Sequence, residues 1–171
     1  MKTRKAIFLD RDGTLIIDKN YLSRVEDMEY YSDTMKALQL LQQLGYELFV
    51  VTNQSGVGRG YFSLENVYVI HRQLQNDLRE NKLEPFKDFA ICPHAPHDSC
   101  DCRKPSGKMI LELMEKHHIS PEHSYMVGDK MIDAEAGKAA GIQGIIVRET
   151  HAKHEYPNFK TLLDFAKSLK K

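Results

Sequence analysis

Side chains that can carry out chemistry follow the short apolar runs of this sequence. Two carboxylates, Asp10 and Asp12, come directly after the run Ala6–Leu9. Later runs lead to a hydroxyl, an amine and a third carboxylate: Thr52, Lys104 and Asp129. Carboxylates act as nucleophiles, as proton donors and acceptors and as ligands of hard cations, whereas a hydroxyl or an ammonium group can neutralise a bound anion. If the runs are neighbouring strands, these groups meet and could perform such chemistry on an anionic substrate.

The three cysteines lie close together, in the pattern Cys92-x-His94-x5-Cys100-x-Cys102. Thiolates this close repel each other without a cation, and four nitrogen and sulfur ligands suit tetrahedral zinc. Because four protein ligands leave no open position, we expect structural zinc in a loop over residues 92–102. The odd number of cysteines argues against a disulfide framework. Reduced thiols without a metal, a redox role, and His97 in place of His94 are the alternatives.

The elements that must position these groups can be predicted from apolar patterning. Strands are expected over residues 5–9, 48–52, 86–91, 124–127 and 144–147. Helices are expected over residues 33–44, 64–80, 131–140 and 158–169, with another around Ile110–His117. Strands that alternate with helices predict an α/β fold, a Rossmann-like three-layer α/β/α arrangement with a mostly parallel sheet. In such sheets the ligand site lies beyond the carboxyl ends of the strands, where the reactive side chains fall.

Length and composition limit the classes of partner. The 171 residues fit one domain, over residues 1–171, and the 24 basic and 24 acidic side chains cancel. This balance argues against a nucleic-acid-binding face and against a polybasic membrane anchor. No run approaches the roughly 18 apolar residues of a transmembrane helix, and the apolar run near the start is too short for a signal peptide. We therefore expect a cytoplasmic monomer that binds a small molecule.

Four segments together resemble the signatures of haloacid dehalogenase-type phosphatases, from Lys5 to about Val147. They are Asp10-Arg11-Asp12-Gly13-Thr14, Thr52-Asn53, Arg103-Lys104-Pro105 and Gly128-Asp129-Lys130. The resemblance implies that family's fold with a minimal cap. The cysteine loop is similar to the branch that holds heptose bisphosphate phosphatases and histidinol-phosphate phosphatases.

Within this branch, two features indicate different substrates. The segment from Thr52 to Gly60 and the residues around Tyr21 look like the heptose enzymes. Ser55 and Lys130 stand where histidinol enzymes typically carry Asp and Arg. The short cysteine loop instead resembles the histidinol enzymes. We expect a heptose bisphosphate as substrate, with histidinol phosphate as the alternative and an inactive zinc-stabilised binding module as a third possibility.

The resemblance implies a magnesium-dependent hydrolysis of the 7-phosphate of a heptose 1,7-bisphosphate, a step towards ADP-heptose for lipopolysaccharide. Asp10 would be the nucleophile that forms an aspartyl phosphate, and Asp12 the general acid and base. The carboxylates of Asp10 and Asp129 and the backbone carbonyl of Asp12 would bind Mg²⁺. Thr52 and Lys104 would neutralise the transferring oxygens.

The remaining substrate contacts are expected from polar side chains of the same segments. These are Asp18, Asn20, Tyr21, Asn53, Gln54, Ser55, Arg59, Arg103 and Lys130. Asp133 lies one helical turn after Asp129, where it either supports the magnesium ligands or favours the start of a helix. Its role is left open by the sequence.

Overall fold

A computed structural model describes residues 3–149 and 155–170 of the chain. Its strands are β1 (Ala6–Leu9), β2 (Glu47–Asn53), β3 (Asp88–Cys92), β4 (Tyr125–Gly128), β5 (Gln143–Val147) and β6 (Asn158–Phe159). Its α-helices are α1 (Thr34–Gln43), α2 (Ser55–Gly58), α3 (Leu64–Glu80), α4 (Lys108–His117), α5 (Met131–Ala139) and α6 (Leu162–Ser168), with a 3₁₀ turn at Val25–Asp27. No helix within the described ranges combines the length and the apolar character needed to cross a bilayer.

The strands form one parallel sheet in the order β3-β2-β1-β4-β5-β6. The chain runs outward from β1 to β3 on one side and from β4 to β6 on the other, so its direction reverses between β1 and β4. Open parallel sheets form their ligand crevice at such a reversal. The predicted α/β fold with a parallel sheet is confirmed, and the carboxyl ends of β1, β2 and β4 lie side by side.

Helices cover both faces of the sheet because its central strands are apolar on both sides. In β1, Ile7 and Leu9 pack on one face with α1, α3 and α6. Ala6 and Phe8 pack on the other face with α4 and α5. All four side chains are fully buried, and burial of a large apolar side chain contributes about 1.5–3 kcal/mol. The three layers therefore hold β1, and the loop that follows it, in a fixed place.

The connections at the carboxyl edge of the sheet contain few regular elements of their own. Between β1 and β2 the chain forms only the 3₁₀ turn and α1, and between β2 and β3 only α2 and α3. This agrees with the predicted minimal cap. The cleft at this edge is therefore bordered by loops.

The predicted helix over residues 158–169 is wrong at its start. Asn158–Phe159 is extended and forms β6 beside β5, and the backbone N–H of Arg148 donates to the carbonyl of Phe159 at 2.9 Å. The helix begins after Thr161, whose side chain caps it by accepting from the backbone N–H of Asp164 at 3.0 Å. This segment is extended because the edge of β5 has backbone groups that need hydrogen-bond partners. The apolar periodicity of residues 158–169 does not reveal that requirement.

Candidate active site

A polar cleft of about 210 Å³ opens at the carboxyl edge of the sheet. Most of the predicted site residues line it: Asp10, Asp12, Asp18, Asn20, Tyr21, Asn53, Gln54, Ser55, Arg103, Lys104 and Lys130. Thr52 and Asp129 lie beside it, in contact with residues that line it. Arg59 is exposed at the end of α2 and does not line the cleft.

Three carboxylates meet where β1 and β4 end. Asp10, Asp129 and Asp133 each offer an oxygen within 4.8 Å of the other two. Among the described residues, Oδ1 of Asp129 is buried without a hydrogen-bond partner. Burial and then the charge of Asp133 raise the pKa of Asp129 to about 6, and burial raises the pKa of Asp10 well above its ordinary value. A hard divalent cation relieves such an environment, so Asp10 and Asp129 could hold one.

Lys104 balances part of this negative charge. Its Nζ donates to Asp10 Oδ1 and to the carbonyl of Val51, both at 2.8 Å, and lies 2.7 Å from Asp133 Oδ1. Although burial lowers the pKa of Lys104, the carboxylates of Asp10 and Asp133 raise it above its ordinary value. The amine is therefore an ammonium group held against the expected nucleophile.

Asp133 contacts the start of α5, one of the two roles that the sequence left open, and it also contacts Lys104. One of its oxygens contacts the Lys104 ammonium, and the other accepts from the backbone N–H of Lys130 at 3.1 Å. It therefore supports the first turn of α5 and orients Lys104 at the same time. Its side chain is 2% exposed, so water does not compete for these contacts.

Asp12 is held from two sides. Arg11 Nε donates to Asp12 Oδ2 at 2.9 Å and its terminal nitrogen donates to Oδ1 at 3.2 Å. Gln54 Nε2 donates to Asp12 Oδ2 at 3.0 Å and to Thr52 Oγ1 at 2.8 Å. Gln54 thus joins the ends of β1 and β2, and the hydroxyl proton of Thr52 stays free to point at a ligand.

Asn53 holds the loop that carries Lys104. Its Oδ1 accepts from the backbone N–H of Lys104 at 3.0 Å, and its Nδ2 donates to the Lys104 carbonyl at 3.2 Å. We expected this side chain to offer its amide to the substrate. These two bonds give Asn53 a role in positioning Lys104. Asn53 also lines the cleft and its Nδ2 carries a second N–H, so the substrate contact stays a prediction.

The rim of the cleft combines aromatic and charged groups. Asn20 and Tyr21 both have left-handed backbone angles, with φ of 53° and 72°, and Asp18 Oδ1 accepts from the backbone N–H of Asn20 at 2.9 Å. This turn brings the Tyr21 ring edge-on to Tyr61, with 4.9 Å between the centroids. Lys130 Nζ lies 3.9 Å from Asp18 Oδ2. The rim therefore offers a ring face and a cation to a polar ligand.

The cysteine loop gathers four ligand atoms. Cys92 Sγ lies 2.9 Å from Cys102 Sγ and 3.8 Å from Cys100 Sγ. His94 Nδ1 lies 3.5 Å from Cys92 Sγ and 3.4 Å from Cys102 Sγ. The side chain of His97 is 76% exposed and lies outside this group. Three sulfur atoms and one nitrogen atom therefore lie close enough together to bind one metal ion, and they are ligand types that structural zinc takes.

The thiols of this loop differ in acidity. Burial raises the pKa of Cys92 to about 12, whereas hydrogen bonds, first from the backbone N–H of Arg103, lower the pKa of Cys100. A cation would stabilise the thiolate form of all three. Because Arg103 and Lys104 follow the last ligand directly, a cation here would fix both.

Sequence reasoning missed the groups behind the cleft. Arg11 has no role in the prediction from sequence, yet it is fully buried and contacts Asp12. His71 contacts Arg11 from α3, with 3.4 Å between the two nitrogen atoms. The buried face of α3 contains Val67, Ile70 and His71, so the available signal was a polar residue at a core position.

Comparison with known proteins gives concordant matches. The family model of HAD-like hydrolases matches residues 101–165. The D-glycero-beta-D-manno-heptose-1,7-bisphosphate 7-phosphatase of Helicobacter pylori is 36% identical over 173 residues, which cover 98% of this chain and 100% of the relative. The Escherichia coli K12 protein of that name is 36% identical over 148 residues, covering 82% of this chain and 77% of the relative.

A solved structure agrees. The D,D-heptose 1,7-bisphosphate phosphatase of B. bronchiseptica, complexed with magnesium and phosphate, superposes with a TM-score of 0.86. It is 25% identical, and the match covers 96% of this chain and 97% of that chain. The sheet order and the carboxylates after β1 and β4 thus define a HAD-like hydrolase fold and site. Within this class, the chain belongs to the D-glycero-D-manno-heptose-1,7-bisphosphate 7-phosphatase family.

Proposed function

We propose that this protein hydrolyses the 7-phosphate of D-glycero-D-manno-heptose 1,7-bisphosphate, and so supplies a precursor of ADP-heptose. The observation that carries the proposal is the convergence of Asp10, Asp12, Lys104 and Asp129 at one cleft, where one Asp129 oxygen has no partner in the described part of the chain. The names of its relatives support the substrate. A cleft of about 210 Å³ has room for a phosphate and part of a sugar.

The reaction divides into two steps at Asp10. In the first, an Asp10 oxygen bonds to phosphorus, the bond from phosphorus to the sugar oxygen breaks, and Asp12 gives that oxygen a proton. In the second, Asp12 takes a proton from water, which attacks phosphorus and releases inorganic phosphate and Asp10. Mg²⁺ at Asp10 and Asp129, when bound, neutralises charge on the phosphoryl oxygens.

Lys104 opposes burial and the charge of Asp133, which together raise the pKa of Asp10. Burial favours the neutral acid, and only the ionised carboxylate can attack phosphorus. The Lys104 ammonium at 2.8 Å favours the ionised form, and Asp133 keeps that ammonium in place. We assign the same residue a second role, which is to attract the phosphoryl group.

The sugar and its second phosphate are assigned to the rim. Tyr21 presents a ring, and Arg103 and Lys130 present cations on the wall of the same cleft. Asp18, Asn20 and Ser55 complete the polar surface. Arg59, exposed and outside the cleft, would reach only the outer end of an extended substrate.

We further propose a structural zinc ion at Cys92, His94, Cys100 and Cys102. The convergence of these four ligand atoms within 4.8 Å supports it. We also propose that the protein acts as a monomer, because all groups of the proposed reaction come from one chain. Its proposed location is the cytoplasm. Light scattering of the purified active protein tests the monomer, and metal analysis tests the zinc.

Phosphate release tests the function. The chain is incubated with Mg²⁺ and either anomer of heptose 1,7-bisphosphate or histidinol phosphate. We expect a strong preference for the heptose and loss of the 7-phosphate. Asp10→Asn should abolish turnover, whereas Asp27→Asn, an exposed change, should keep it. A preference for histidinol phosphate would overturn the substrate, and no release from any phosphomonoester would overturn the reaction.

A further inference from the structure

Arg11 places a guanidinium group directly behind the expected general acid. Its side chain is 1% exposed and contacts both oxygens of Asp12, at 2.9 and 3.2 Å. Two nearly parallel N–H groups on two carboxylate oxygens fix the plane of the carboxylate as well as its distance. Gln54 adds a third donor, at 3.0 Å from Oδ2. The orientation of Asp12 therefore depends on the position of the Arg11 guanidinium group.

His71 determines the position of that guanidinium group. Its Nε2 is 3.4 Å from Arg11 Nη1, and its ring stacks on Phe89 of β3 with 4.3 Å between the centroids and 19° between the planes. A guanidinium group only donates, so Nε2 of His71 must accept and the ring proton must sit on Nδ1. Burial and then the charge of Arg11 lower the pKa of His71 to about 3, which agrees with a neutral ring.

The arrangement connects the core to the reaction. The Arg11 side chain has several rotatable bonds. If its guanidinium group could move, the Asp12 carboxylate would be free to rotate. The ring of His71 is held by its stacking and by its place on the buried face of α3, so it removes that freedom. We propose that Arg11 and His71 are positioning residues that aim the Asp12 carboxyl at the leaving oxygen. This inference rests on the phosphatase function proposed above.

Comparing substrates with two different leaving groups distinguishes a positioning role from a purely structural one. An alkyl oxygen needs a proton as it departs, whereas p-nitrophenolate leaves without one. The ratio kcat/KM includes only steps up to departure of the leaving group, so the later hydrolysis of the aspartyl phosphate does not enter it. A misaimed Asp12 should therefore slow the heptose bisphosphate selectively.

The test compares His71→Leu with His71→Gln on both substrates. Leucine fills the space without an acceptor, and we expect about a tenfold loss of kcat/KM on the sugar phosphate with little change on p-nitrophenyl phosphate. Glutamine offers Oε1 to Arg11 and should restore most of the loss. Arg72→Leu, at the exposed neighbouring position on α3, should match the wild type on both substrates.

Arg11→Lys keeps the positive charge but loses the paired N–H groups, so it should show the same selective loss. The test therefore does not depend on whether His71→Leu folds. Equal losses on both substrates, or a glutamine variant as slow as the leucine variant, would overturn the positioning role. A wild-type protein that hydrolyses neither substrate would overturn the proposed function itself, and the inference with it.

Discussion

The carboxylates at the edge of the sheet outnumber the cations that face them. The Lys104 ammonium lies between Asp10 and Asp133, and Arg11 neutralises Asp12. Oδ1 of Asp129 is left without a partner among the described residues. Since a buried charge without a partner costs several kcal/mol, this site should bind a cation whose charge exceeds that of one more lysine. Divalent magnesium fits both the charge and the oxygen ligands.

Gly13 gives Asp129 its room, and its replacement should weaken magnesium binding. Its φ is +85°, and a Cβ built there would overlap with Asp129 Oδ2. In Gly13→Ala the carboxylate must move, so we expect about a tenfold or greater loss of Mg²⁺ affinity, measured by activity against magnesium concentration.

The matched control is Gly141→Ala, where φ is +79° and nothing lies within 4 Å of the new Cβ. It shares the backbone strain of Gly13→Ala without touching a carboxylate. Equal magnesium affinity in the two variants would show that Gly13 has no part in the site.

His71 should make folding stability depend on pH in a way that His71→Gln removes. The folded protein lowers the pKa of this ring to about 3, from an ordinary value of 6.5, chiefly by burial. Below about pH 6.5 the unfolded chain takes up a proton that the folded chain does not, so stability from this group falls as pH falls towards 3. We expect the wild type to lose about 2 kcal/mol more than His71→Gln between pH 7.5 and 5.

Urea unfolding of both proteins at the two pH values gives this difference directly. The other acidic and basic groups are common to both proteins and cancel in the comparison. Parallel loss of stability in the two proteins would mean that His71 is protonated in the fold, which would also remove it as an acceptor for Arg11.

At the scale of elements, the reactive residues were predictable because each follows a strand. Asp10 and Asp129 continue β1 and β4, and parallel strands bring their carboxyl ends to one edge. The strand β6 was not predictable from its own residues, because it is extended to meet the hydrogen-bonding edge of β5. The contact of Arg11 with His71 depends on how α3 packs against the sheet. The apolar periodicity of one element does not predict such packing.

The cysteine loop should act as one unit, so loss of one ligand should disturb the cleft. In Cys100→Ser we expect weaker zinc binding and a fall in kcat/KM on the order of 100-fold, since Arg103 and Lys104 follow the last ligand directly. Zinc content per chain and phosphate release measure the two effects.

His97→Ala is the control for this loop, because His97 is exposed and outside the ligand group. It should keep both zinc and activity. Full activity in a zinc-free Cys100→Ser protein would show that Asn53, which binds the backbone of Lys104 on both sides, positions the loop alone.

At the scale of the whole molecule, the chain end that follows β5 is joined to the catalytic loop by Arg148. Its guanidinium donates to the carbonyl of Thr14 at 2.8 and 3.1 Å and to Asp33 Oδ1 at 2.9 Å, and it stacks over Tyr31 at 3.6 Å from the ring centroid. The other oxygen of Asp33 accepts from the backbone N–H of Leu163 in α6. Arg148 thus connects the end of β5 to the loop after β1 and to Asp33 before α1, and Asp33 extends the connection to α6.

Arg148→Met should therefore destabilise the entire fold, by about 2–4 kcal/mol, because it leaves a largely buried Asp33 carboxylate without its cation. The two side chains are only 11% and 13% exposed. The control is Arg24→Met, whose pair with Glu26 is 68% and 70% exposed and should contribute under about 0.5 kcal/mol. A lower urea midpoint with an unchanged slope would place the loss in folding stability. If Arg148→Met unfolded at the same urea concentration as Arg24→Met, the buried pair of Arg148 and Asp33 would contribute no more to stability than the exposed pair.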